Sequence, residues 1–141
     1  MKISTRSRYG LRIMLVLARH YGQGLVHLRQ IAAEEKLSEK YLSQLILPLK
    51  GMGLVCSGQG VDGGYRLARP PAQITIREIV EPLEGGLRLL DCVRDASFCD
   101  KADACCARGV WSALENRLID TLDQVKLSSL MKGKPMRRHP K

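Results

Sequence analysis

Apolar residues in the first half of the chain recur at helical steps, then give way to short strand-like runs. Across residues 5–21, Tyr9, Ile13, Val16, Leu17 and Tyr21 return every three or four positions, the spacing of one buried helix face. Arg6, Arg8, Arg12 and Arg19 fall on other faces, and Gly22 and Gly24 follow as stop signals. A short second helix is predicted over residues 28–35. Ser38 then makes a good N-cap for a third, carried by Tyr41, Leu42, Leu45, Ile46 and Leu49. Pro48 inside it is expected to bend or shorten it. Leu54-Val55-Cys56-Ser57 and Tyr65-Arg66-Leu67-Ala68 read as two strands, with the glycine-rich run from Gly58 to Gly64 as the hairpin tip.

Pro70-Pro71 closes this first unit. Thr75-Ile76-Arg77-Glu78 has the form of a capping box, opening a helix to about residue 83. A loop over residues 84–104 leads to a long helix over residues 105–125, with Asp103 or Ala104 as its cap. Trp111, Leu114, Leu118, Leu122 and Val125 form one apolar seam along it. The pattern predicts a mainly α fold with a small β hairpin: a winged helix-turn-helix followed by a long C-terminal helix. The expected organisation is a winged helix-turn-helix unit over residues 1–69, a thiol loop with a dimerisation helix over residues 70–130, and a basic disordered tail over residues 131–141.

Charge sharpens this division. Of 141 residues, 23 are Lys or Arg and 14 are Asp or Glu, a net +9. Residues 1–69 hold eleven bases against four acids, residues 70–130 seven against ten, and residues 131–141 five against none. A basic first half beside an acidic second half points to a polyanionic partner, nucleic acid ahead of a membrane surface. No apolar run approaches the roughly 18–20 residues of a membrane span, and no apolar leader with a cleavage site opens the chain. A cytoplasmic protein is the expectation. His20, His27 and His139 stand apart from any plausible nucleophile, so no catalytic constellation is visible and an enzyme is not expected.

In a helix-turn-helix, the start of the second helix enters a major groove about 12 Å wide. Here it presents Ser38, Glu39, Lys40, Tyr41, Ser43 and Gln44. Gln44 has the amide geometry to pair with adenine, and Lys40 suits a phosphate. Arg8 and the other arginines of the first helix are further candidates for phosphate contacts, and Gln59 is the best-placed polar side chain on the wing. The glycine-rich tip lacks a Gly-Lys-Ser/Thr ending and joins strand to strand, which excludes a phosphate-binding P-loop.

Five cysteines fall at Cys56, Cys92, Cys99, Cys105 and Cys106. The odd count argues against a disulfide framework. Cys92, Cys99 and Cys105 are separated by six and then five residues, loose spacing that lets three thiolates converge on one iron–sulfur cluster. A structural zinc site and unremarkable thiols stay open as readings, although the paired Cys-x-x-Cys spacing usual for zinc is absent. Cys105 and Cys106 are expected in the first turn of the long helix, where the dipole favours an anionic cluster. Neighbouring helix residues diverge by about 100°, so Cys106 is expected to point away from Cys105.

These motifs together resemble the Rrf family of bacterial winged-helix transcription regulators, of IscR, NsrR and CymR type. The resemblance is carried by Arg8-Tyr9-Gly10, Ile31-Ala32, Leu37-Ser38, Tyr41-Leu42-Ser43-Gln44-Leu45, the wing ending Gly63-Gly64-Tyr65-Arg66-Leu67, the three cysteines, Trp111 and Val125-Lys126-Leu127. It implies a homodimer joined by its long helices, here through Trp111, Leu114, Leu118 and Leu122. It also implies an operator affinity governed by an iron–sulfur cluster, 2Fe–2S or 4Fe–4S, on Cys92, Cys99 and Cys105. The chain departs from the family pattern at Arg108, where the iron–sulfur branch has a ligating histidine, and at Arg8, where the nitric-oxide-sensing branch has an aspartate. Gln59 and Ser43 replace an arginine of the wing and a glutamate of the recognition helix. The fourth ligand, the cluster type and the operator therefore do not carry over. A cluster-free thiol sensor of the same fold, and an iron–sulfur or zinc carrier, are the alternatives.

Overall fold

Ser4 begins the first helix, α1 (Thr5–Arg19), by accepting a hydrogen bond from the Ser7 N–H at 3.1 Å. The computed structural model describes residues 1–59 and 63–133; the expected hairpin tip at residues 60–62 and the tail from residue 134 lie outside the described residues. Helix α1 ends two residues short of its expected end at Tyr21. The His20 N–H turns back to the Leu17 carbonyl and the Tyr21 N–H to the Ala18 carbonyl, both at 3.2 Å, and Gly22 follows with φ +80°. Tyr21 consequently lies outside the buried face, exposed in the turn.

Helix α2 (Leu28–Glu35) stops at Lys36, whose φ of +54° is unusual for a residue with a side chain and makes the tight turn into α3. Ser38 caps α3 (Glu39–Gly51) as expected, accepting from the Tyr41 N–H at 3.2 Å. Of the two expected effects of Pro48, bending or shortening, the shortening does not occur: α3 runs on to Gly51. Leu45, Ile46 and Leu49 are buried on either side of it and hold the last turn on the core, and the Pro48 carbonyl accepts from Met52 N–H at 3.1 Å.

Strands β1 (Val55–Ser57) and β2 (Tyr65–Leu67) pair antiparallel in the register Val55 to Leu67, Cys56 to Arg66 and Ser57 to Tyr65. Val26 adds a bridge on the other edge of β2, exchanging two hydrogen bonds of 2.8 Å with Tyr65. A Cβ on Gly64 would stand 2.7 Å from the Val26 carbonyl oxygen, so this close approach requires glycine.

Both halves of the predicted capping box form at α4 (Ile76–Glu84): Glu78 N–H donates to Thr75 Oγ1 at 3.2 Å, and Thr75 N–H to Glu78 Oε2 at 2.8 Å. Helix α4 lies on α1 where Gly10 leaves room for the Leu83 side chain. The loop expected over residues 84–104 contains a four-residue helix, α5 (Asp91–Arg94), and two 3-10 turns, Ala96–Phe98 and Ala102–Ala104. Helix α6 (Cys106–Gln124) follows. Ile76 N–H bonds to Val125 O, and Leu127 N–H to Ile74 O, both at 2.9 Å, pinning the end of α6 and α7 (Leu127–Leu130) to the start of α4.

The core gathers Ile13, Met14 and Leu17 of α1 with Ile31, Leu42, Leu45, Ile46, Leu49, Leu54, Leu67, Ile74, Ile79 and Leu127. No residue of α6 is buried. Ion pairs brace the helix junctions: Arg12 with Glu35 and Arg19 with Glu34 across α1 and α2, and Arg77 with Asp123 at 2.8 Å across α4 and α6.

The start of α1 is fastened to the end of α4 by the Ser4 N–H, which donates to Glu84 Oε1 at 2.8 Å. Burial pushes the Glu84 carboxyl up, but hydrogen bonds from Ser7 and Ser4 and the Arg6 charge outweigh it, leaving the group below its ordinary value. A lowered carboxylate contributes stability that is present above its unfolded value and is lost as pH falls through the folded one. Glu84→Gln is expected to reduce stability at neutral pH and to flatten its decline below about pH 5. Denaturant melts across pH measure this; parallel curves for the two proteins would show that the contact contributes nothing.

Candidate nucleic-acid interface and thiol loop

The turn at Lys36 and the packing of Ile31 against the α3 core face set α2 and α3 as a helix-turn-helix. This leaves Ser38, Lys40 and Gln44 exposed and Tyr41 and Ser43 half-buried. Ser43 Oγ donates to the Glu39 carbonyl at 2.9 Å, so its proton is already engaged and the oxygen is left to accept. Tyr41 meets Tyr9 edge-on, with ring centroids 6.2 Å apart and planes at 87°. The Arg8 guanidinium lies 4.7 Å from the centre of the Tyr9 ring and donates to its hydroxyl at 3.0 Å. Tyr9, read from the sequence as a core position, is therefore also the plate that holds Arg8 beside the recognition helix.

The sequence-predicted wing residue, Gln59, is exposed just past β1. The base of that wing is tied down twice. His27 Nδ1 lies 2.7 Å from the Gly63 carbonyl, and Lys50 Nζ donates to Ser57 Oγ at 2.7 Å. Two further residues join this surface, Arg6, one of the first-helix arginines expected at phosphates, and Leu47, which the sequence reading passed over. Arg6 and Leu47 line a groove with Tyr41, Gln44 and Pro48, and Leu47 is 67% exposed. Leu47 was legible as an apolar residue off the buried period of α3, three positions after Gln44.

The thiols occupy separate short elements. Cys92 is half-buried on α5, Cys99 is exposed at the end of the first 3-10 turn, and Cys105 is exposed at the start of α6. Cys105 is not in the first helical turn as expected; it is itself the N-cap residue, with extended backbone (φ −83°, ψ 106°) and no side-chain cap, and Asp103 and Ala104 belong to the preceding 3-10 turn. Only Cys106 lies within α6, exposed. Cys56 is half-buried on β1, outside the loop. Among the described residues no three His, Cys, Asp or Glu side chains stand together as a metal-holding set. The donors nonetheless match an iron–sulfur cluster in kind, being three free thiols on one loop; holding one requires that loop to draw together.

Arg108, at the position where a histidine ligand was noted as missing, has a different engagement. Its Nε donates to the Cys92 carbonyl at 2.8 Å and its Nη2 to the Val93 carbonyl at 3.3 Å. It shares a small polar cleft with Val93, Ala102, Asp103, Cys105, Gly109 and Ser112.

The family model described as Rrf2, iron-dependent transcriptional regulator, matches residues 3–133. The chain belongs to the Rrf2 family. It is 38% identical over 130 residues to the HTH-type transcriptional regulator CymR of Bacillus subtilis, covering 92% of this chain and 89% of that one. The solved structure of CymR, described as the global cysteine regulator of B. subtilis, superposes with a TM-score of 0.77 at 37% identity, covering 96% of this chain and 99% of that one. That of T. potens IscR superposes with a TM-score of 0.72 at 37% identity, covering 94% and 88%. The expected winged helix-turn-helix of a transcription regulator is thus the fold and class of this Rrf2 chain. No described helix is long and apolar enough to cross a membrane.

Proposed function

We propose that the chain is a cytoplasmic, dimeric DNA-binding regulator whose operator affinity is governed by the loop carrying Cys92, Cys99 and Cys105. The observation that carries the DNA reading is the exposed start of α3, with Arg8 held beside it by the Tyr9–Tyr41 pair. Ser38, Lys40, Tyr41, Ser43 and Gln44 face the major groove; Gln44 reads a base edge, while Lys40, Arg8 and the wing with Gln59 meet the backbone. Two chains pair through α6, whose Trp111 and Leu114 are 42% and 43% exposed in the single chain and whose Leu118 is half-buried. An apolar groove of ≈ 450 Å³ lined by Ile3, Leu11, Leu15, Ile76, Val80 and Leu122 continues this uncovered surface. Pairing places two recognition helices about one DNA turn apart.

Cys92, Cys99 and Cys105 would hold an iron–sulfur cluster, 2Fe–2S or 4Fe–4S. Such a group supplies iron whose state responds to oxidation, nitric oxide or iron shortage. The chain's own part is mechanical. Cys92 and Cys105 sit at the junction of α5 and α6, so rearranging the loop shifts the helix on which the two chains pair. A coupling of about 1–3 kcal/mol is enough to switch occupancy at an operator. A second reading, a cluster-free thiol regulator, is favoured by the separation of the three thiols among the described residues and by the likeness to a cysteine regulator.

Titration of operator DNA with purified protein tests the DNA and dimer readings together. Six to ten phosphate contacts are expected to cost about 10³–10⁵ in affinity between 50 and 200 mM salt. Leu118→Glu is expected to sediment as a monomer and bind operators weakly. A flat salt response removes DNA binding and leaves a metal or thiol carrier, and a dimeric Leu118→Glu places the interface elsewhere.

Iron and sulfide counts after anaerobic purification separate the two loop readings. Cys92→Ser, Cys99→Ser and Cys105→Ser are each expected to lose iron and visible absorbance, while Cys106→Ser keeps both. The remaining ligand is then an oxygen donor or a small external molecule, since Arg108 cannot ligate. Colourless wild-type protein that binds its operator selects the cluster-free thiol regulator.

A further inference from the structure

Helix α5 has four residues, far below the length at which a helix persists in water by itself. It buries no residue of its own, so apolar packing does not account for its order. Two charged side chains of α6 bond the backbone at its two ends. The carboxylate of Glu115 accepts the Leu89 N–H at 2.9 Å, just ahead of α5. Arg108 donates to the carbonyls of Cys92 and Val93 in the last turn of α5, at 2.8 and 3.3 Å.

The two side chains are seven positions apart, two turns of α6, and therefore project from the same helical face. Their signs match their tasks. The acid meets an N–H before the start of α5 and the base meets carbonyls at its end, the polarity a helix offers at its two termini. Because both contacts are to backbone, they fix where the segment lies independently of its side chains.

We propose that Arg108 and Glu115 form a two-point clamp that docks the Cys92 turn on α6 with no metal present, making Arg108 a positioning residue for the thiol loop. Resting on the reading of that loop as the sensor, the clamp gives each thiol a different part. Cys92 is pre-placed and half-buried against α6, while Cys99 and Cys105 are exposed and are the thiols that must move. Any event that pulls the Cys92 turn inward has to break or re-aim the Arg108 bonds, which hands the change directly to the first turns of α6.

Iodoacetamide alkylation of the chelator-treated, reduced full-length protein, followed thiol by thiol by mass spectrometry, tests this. Charge-assisted hydrogen bonds of this kind hold a segment closed strongly enough that losing one should open it by about tenfold or more. Arg108→Ala and Glu115→Ala are each expected to raise the Cys92 rate by about that factor with Cys99 unchanged, and the double variant to exceed neither by much, since both release one segment. Glu115→Gln, whose amide oxygen still accepts, should stay near wild type. Hydrogen exchange of residues 89–94 gives the same answer if Arg108→Ala proves too unstable, with Arg108→Lys in its place. Unchanged Cys92 rates and exchange, or a uniform rise at all thiols, overturn the clamp. Loss of cluster binding in wild type would not, because the measurement is made on metal-free protein.

Discussion

The buried surface of α1 is the support on which every other part of the chain rests. Ile13, Met14, Val16, Leu17 and Ala18 are at most 1% exposed, so this helix is covered around more than one face. It meets α2 and α3, β2, α4 and α7. That density has a geometric condition at Gly10, where the absence of a side chain lets Leu83 of α4 lie against the α1 backbone. A larger residue would have to displace a side chain that is 3% exposed in a close-packed core. The function follows from the same support. Because α1 is packed on all these elements, Tyr9 is placed as a plate, and Arg8 and Tyr41 are presented from two helices as one surface.

The opposite condition holds at α6, a nineteen-residue helix with no buried residue. It is pinned at its end by the backbone bonds around Val125 and Leu127 and along its side by the Arg77–Asp123 pair. Its start is joined to the rest chiefly through the thiol loop. An apolar face left open in one chain is a surface that a second copy can cover. A helix tied firmly at one end and through a small clamp at the other is suited to carry a change from loop to dimer.

Much of this was legible wherever a local rule acts alone. Ser38 and the Thr75–Glu78 capping box form as their residue types dictate, because a cap needs only its own turn. The sequence reading failed where tertiary contacts overrule local preference. The tight turn between α2 and α3 was legible at Lys36-Leu37, but the left-handed conformation of Lys36 within it, with no glycine to announce it, was not. Pro48 sits inside α3 because the buried leucines on both sides hold the turn. Helix α5 has too few residues to show a period, and its supports, Arg108 and Glu115, lie 16 and 26 positions beyond the residues they hold. Arg108 was readable only as a missing ligand; what it does instead is set by its tertiary contacts to Cys92 and Val93. The return of Leu127 to the core was equally hidden, since its partner strand is a single bridge between Thr75 and Lys126.

The central claim is that the state of the Cys92–Cys99–Cys105 loop sets the affinity for DNA. Its most direct test is fluorescence anisotropy on one operator, at fixed salt, with the same protein kept anaerobic as isolated, stripped by chelator, and blocked at its thiols. The account predicts dissociation constants that differ by about tenfold or more between at least two of these states, with the difference abolished in Cys92→Ser. One dissociation constant shared by all three states, with the operator still bound specifically, would contradict it.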